Sequence, residues 1–87
     1  MKATLEQKVE NQVNLNKVGI YEVFVNEGEL RSYWKLSGNL ESSMMKKVFA
    51  PVFDGKILSL SFERSRAIRN LLDAAEVNTL NELETLN

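Results

Sequence analysis

With 87 residues, 11 basic against 12 acidic groups, and neither His nor Cys, the chain has room for a single small domain, residues 1–87, with a thin core. The missing residue types remove the disulfide staple, the zinc ribbon, the thiol nucleophile and the commonest general base. A net charge of −1 argues against a protein that coats nucleic acid by bulk charge. No apolar run approaches the ~18 residues that span a bilayer, and residues 1–6 lack the apolar stretch of a signal peptide, so a cytoplasmic protein with no membrane partner is expected.

The first predicted element is a helix over residues 5–14. Thr4 and Gln7 fit a capping box, and Leu5, Val9 and Val13 make a narrow apolar stripe. Asn14-Leu15-Asn16 ends it with poor helix formers.

Residues 18–37 read as a β-hairpin turning at Glu27-Gly28. That register sets Val25 opposite Leu30, Val23 opposite Ser32 and Tyr21 opposite Trp34 on a core face. The outer face then pairs Phe24 with Arg31, Glu22 with Tyr33, and Ile20 with Lys35. After Ser37-Gly38-Asn39, a short helix over 40–47 suits the dipole, with Glu41 near its start and Lys46-Lys47 near its end. The competing reading is a strand beginning at Met44.

A second hairpin, 48–62, turns at Asp54-Gly55, the strongest turn signal in the chain. Its core face holds Phe49, Leu58, Leu60 and Phe62; its outer face holds Val48, Val52 and Ile57. Pro51 cannot donate to a ladder, which predicts an edge strand. Residues 64–77 then give the clearest helix, with Ile68, Leu71, Leu72 and Ala75 on one stripe. Thr79 and Glu82 offer a capping box for a last short helix over 80–86. The expected fold is α+β: an antiparallel sheet of about four strands in two hairpins, with the 64–77 helix on its core face.

Residues 71–83 are similar to the second half of a helix-hairpin-helix motif. That motif carries a Gly in its turn, whose amides meet a phosphate; here Glu76 stands at the corresponding place, and its charge opposes that contact.

No constellation of groups points to catalysis. All four glycines read as turns or strand starts rather than a phosphate cradle, and no metal or cofactor is expected. Function therefore falls to surfaces. The outer sheet face, with Ile20, Phe24, Arg31, Tyr33, Lys35 and Ile57, has the aromatic and arginine content of an interface. Its cover is a partner protein, a second copy of the chain, or the N-terminal helix through Leu5, Val9 and Val13.

A second candidate surface is basic. Residues 44–72 carry Lys46, Lys47, Lys56, Arg64, Arg66 and Arg69 against Asp54 and Glu63, net +4; residues 73–87 carry only Asp73, Glu76, Glu82 and Glu84, net −4. The expected function is a non-enzymatic protein-interaction module of regulator or inhibitor type, binding through the apolar and aromatic sheet face or the charged helical end, the kind of small domain common in compact genomes such as those of phages. The alternative is a nucleic-acid-binding regulator using Lys46, Lys47, Arg64, Arg66 and Arg69, where rings stack on bases and cations meet phosphate.

Overall fold

A computed structural model describes residues 5–35 and 44–84. Asn26 sets the course of the first half. It ends strand β1 (Gly19–Asn26) in an extended conformation, and its Oδ1 accepts from the amides of Gly28 at 2.8 Å and Glu29 at 3.3 Å. Those are orphan amides of a helix start, so helix α2 (Glu27–Tyr33) follows at once. Glu27 and Glu29 sit in its first turn, where the dipole favours acid, and Arg31 reaches back to Glu27 at 3.2 Å. The hairpin expected over 18–37 is thereby corrected. Glu27-Gly28 opens a helix instead of a turn, and the pairs with Leu30, Ser32 and Trp34 do not form.

β1 pairs antiparallel with β2 (Met45–Phe53) instead, setting Tyr21 against Ala50, Val23 against Val48 and Val25 against Lys46. Strand, not helix, occupies residues 45–47; the alternative that starts a strand near Met44 is the better one, and residues 40–43 lie outside the described residues. A helix there would have taken Val48 away from Val23.

The Asp54-Gly55 turn forms as expected, both residues at positive φ (56° and 76°), and leads into β3 (Lys56–Ile57). Val52 faces Ile57 and Phe53 faces Lys56, in the expected register. Beyond that the register slips. Phe49 bridges Ser61 rather than Leu60, so one extra residue is accommodated on the returning strand, as in a β-bulge. Pro51 explains where. Its carbonyl accepts from Leu58 at 2.8 Å, but it has no amide to continue the ladder, and the bulge falls beside it. β2 is consequently the central strand of the order β1-β2-β3, not an edge. Proline is accommodated there because its nitrogen faces the interrupted side.

The sheet has three antiparallel strands among the described residues and helices on both faces. On one face, Val23, Val25, Val48, Ala50 and Leu60 cluster with Leu30 of α2 and with Leu5 and Val9 of α1 (Leu5–Glu10). α1 is shorter than the predicted 5–14 helix: turns closed by Gln12 on Val9 and by Val13 on Glu10 replace its last residues. Thr4, the expected cap, lies outside the described residues. Two links tie α1 to α2. The Tyr33 hydroxyl donates to Glu6 at 2.8 Å, and Lys8 pairs with Glu29.

The opposite face carries Ile20, Glu22 and Phe24 beside Pro51, Phe49 and Lys47. α3 (Arg64–Ala75) packs there, with Ala67 and Leu71 buried and Leu71 close to Ile20, Leu80 and Leu83. This corrects the expected placement of the long helix on the Val23 face. The two hairpin readings had joined the Val23 face to the Phe49 face, and the observed pairing of Val23 with Val48 puts Phe49 on the other side. α3 stops at Ala75, two residues short of the prediction. Glu76 takes the left-handed conformation (φ 57°), its amide bonds to Asp73, and Val77 bonds to Leu72 at 3.1 Å, closing a Schellman motif. The second box forms with one change, the Glu82 carboxylate taking the Asn78 amide rather than that of Thr79. Thr79 Oγ1 accepts from the Glu82 amide at 3.2 Å and Glu82 accepts from the Asn78 amide at 3.1 Å, starting α4 (Leu80–Glu84). The predicted end of that helix, at 85–86, is outside the described residues.

Leu30 and Leu71 are fully buried, one on each side of the sheet. Leu30→Ala and Leu71→Ala should each cost ~2–5 kcal/mol in denaturant unfolding. Asn26→Ala removes the α2 cap and should cost ~0.5–2 kcal/mol; an unchanged unfolding midpoint would mean that α2 does not depend on its cap.

Candidate binding surface

The bulge beside Pro51 builds the most distinctive surface of the molecule. A one-residue slip reverses the faces of the residues that follow it. Leu60 therefore enters the α1-side cluster instead of joining Phe49, and Phe62 swings toward α2. Phe62 was expected in the core; it is 53% exposed. It meets Trp34, the residue that ends α2, edge to face with ring centroids 4.9 Å apart.

Two open grooves flank this pair. One, of about 350 Å³, is lined by Glu27, Leu30, Arg31 and Lys46 along with both rings. The other, of about 540 Å³, runs past Ser59, Ser61, Glu63, Arg66 and Asn70. In its wall the Asn70 amide donates to Ser59 Oγ at 2.8 Å, and Ser61 Oγ donates to the Glu63 carbonyl at 3.1 Å. Its hydroxyls are thus held in place, while the rings and cations stand at the rim. The first turn of α3 contains Arg64 and Arg66 and no acid, and its N-cap residue, Glu63, makes no side-chain cap bond. Cations at the positive end of a helix oppose its dipole; of these, Arg66 lines the groove beside Phe62, together with Glu63.

The residues expected to form one outer sheet face are divided among three places. Ile20 and Phe24 lie on the α3 side of the sheet; Ile20 is half-buried near Leu71, and Phe24 is 53% exposed. Arg31, Tyr33 and Lys35 belong to α2 and its end. Ile57 packs against the α1-side core. The expected six-residue patch does not form, because its second strand is a helix. Val48 and Val52, assigned to the same face, are fully buried.

The basic set is divided too. Lys46 and Arg66 flank the ring pair on opposite sides, and Arg69 adjoins Arg66 along α3. Lys47 points to the other sheet face, its ammonium 5.7 Å from the Phe49 ring centroid. Arg64 borders the small cleft between Ile20 and Leu71. Phe62 was missed as a surface residue because it fitted a core stripe, whereas Trp34, expected in the core, is partly buried against the α1-side cluster. The available signal was Pro51, whose missing donor invites a bulge. Among the described residues no group of three potential metal ligands gathers, and no helix is long and apolar enough to cross a membrane.

Tyr33 acts as an internal tie. Burial pushes its pKa above the usual tyrosine value, and the hydrogen bond and negative charge of Glu6 push it further. A raised folded-state pKa favours the folded chain fully below the ordinary tyrosine value of ~10, and this contribution fades as pH rises through the folded pKa. Comparison of the chain with protein-family models, with curated proteins and with solved structures found no match.

Tyrosinate absorbance should accordingly show Tyr33 ionising above the ordinary range. Glu6→Gln keeps an acceptor but removes the charge, and it should move that transition down. A titration unchanged by Glu6→Gln would mean that Tyr33 and Glu6 do not meet in solution.

Proposed function

We propose that the protein is a non-enzymatic binding module, of regulator or inhibitor type, that engages another protein through the Trp34–Phe62 corner. The observation that carries this is the exposed Phe62 ring, braced by Trp34 and set between grooves bordered by Lys46 and Arg66. Aromatic and arginine side chains dominate the energetic centres of protein interfaces, and a ring already fixed by a neighbour loses little freedom on binding. The cationic rim favours a partner with acidic groups around an apolar centre. The chain has neither His nor Cys, which supports binding over catalysis.

Nucleic acid is the second reading. Arg66, Arg69 and Lys46 beside two rings resemble the elements of a single-strand platform. The net charge of −1 weighs against it.

Affinity capture from nuclease-treated lysate of the source cells, with wild type beside Phe62→Ser and Arg66→Glu, tests the proposal. A specific protein retained by the wild type and lost with both variants is the expected result. Phe62 and Arg66 are exposed, so both variants should keep the wild-type circular dichroism. Retention by all three proteins would rule out the corner. Capture abolished by nuclease, with single-strand affinity falling steeply as salt rises, would favour the second reading.

A further inference from the structure

β1 is an outer strand of the sheet, and among the described residues one of its edges faces no other strand. Which of its peptide groups point that way follows from β2. Phe49 exchanges backbone hydrogen bonds with Ser61 on the β3 side, at 2.8 and 3.2 Å. In an antiparallel ladder the alternate residues of β2, Lys46, Val48 and Ala50, therefore face β1. Their partners Val25, Val23 and Tyr21 turn inward, and the Glu27 amide continues that ladder onto Met44 at 2.8 Å. Ile20, Glu22 and Phe24 are left with amides and carbonyls directed outward.

At Phe24 those outward groups are occupied. The Phe24 amide donates to Gln12 Oε1 at 3.4 Å, and Gln12 Nε2 donates to the Phe24 carbonyl at 3.3 Å. A primary carboxamide offers one donor and one acceptor side by side, as the peptide groups of a neighbouring strand would. Both bonds are long and Gln12 is exposed, so the closure is weak.

We infer that the outer edge of β1 is a strand-pairing surface held closed by Gln12, and that its occupant, once Gln12 is removed, is β1 of a second copy of this chain. Outward residues pair only with outward residues, which restricts the antiparallel registers. Centring the two-fold axis on Glu22 would set two like charges opposite each other, which is unfavourable. Centring it on Val23 pairs Glu22 with Phe24 of the other copy. Phe24 already neighbours Lys47 across β1 and β2. Glu22 of the second copy then joins the row containing Phe24 and Lys47, so acid and base bracket a ring twice in an isologous pair.

Amide hydrogen exchange and sedimentation equilibrium test this. The wild type should sediment as a monomer, and its Phe24 amide should exchange about fivefold more slowly than its Glu22 amide, as a net hydrogen bond of ~1 kcal/mol implies. Gln12→Ala should associate to a dimer as concentration rises, with both amides becoming protected. Adding Glu22→Pro removes an outward amide while sparing the β1–β2 ladder, and it should restore the monomer. Equal exchange of the two wild-type amides would overturn the closure by Gln12, and that measurement needs no variant. A Gln12→Ala protein that stays monomeric, or a dimer that survives Glu22→Pro, would overturn the pairing surface.

Discussion

β2 is buried on both of its faces, and the other layers take their positions from it. Val48, Ala50 and Val52 have no exposure on the side of α1 and α2, while Phe49 is 8% exposed on the side of α3. Full burial of a large apolar side chain is worth ~1.5–3 kcal/mol. The helices have no comparable means of supporting themselves. α1 has six residues and α2 seven, well below the ~12–15 at which isolated helices become even marginal in water. They persist because Leu5, Val9 and Leu30 reach the apolar surface that β2 shares with β1. The charged and polar ties between them, Tyr33 to Glu6 and Lys8 to Glu29, lie at exposed positions and orient more than they stabilise.

Much of this was legible in the residues, in a way that depended on the range of the forces involved. The Asp54-Gly55 turn, the Thr79 cap on Glu82 and the α3 helix are local signals, and all three are found, although Leu71 alone of the predicted stripe is buried and Ala67 joins it. The Glu27-Gly28 turn was an equally local reading, and it failed to a stronger local competitor. Asn26 followed three residues later by Glu29 is a helix-start pattern, and a capped turn of helix displaced the hairpin. The pairing of β1 with β2 was hidden for another reason. Either face of β2 is apolar enough to be core, so alternation alone could not choose which side meets Val23.

The candidate surface was legible only in its charges. Lys46, Arg66 and Arg69 stood out as a basic set, and the structure brings them to one region. The Phe62 ring did not stand out, because its exposure follows from a single extra residue beside Pro51. An interruption in hydrogen bonding thus becomes a change of face, and the change of face brings Phe62 to Trp34. The same proline that marks a break in the ladder is the indirect cause of the aromatic corner.

The order of the chain carries a cost for reaching this structure. Asn26 lies opposite Met45, although residues 27–44 intervene. Joining β1 to β2 therefore closes a loop before the ladder can repay the lost freedom, and non-local pairing of this kind slows folding. α2 lies inside that loop and forms from neighbouring residues alone, capped by the last residue of β1. Each helical residue advances the chain by ~1.5 Å instead of the ~3.3 Å of a strand. A formed α2 thus shortens the path between the two strands and carries Leu30 toward the core that Val23 and Val48 complete. In this chain the helix serves as a folded spacer, and the strength of its cap bears on how quickly the sheet is assembled as well as on how long it lasts.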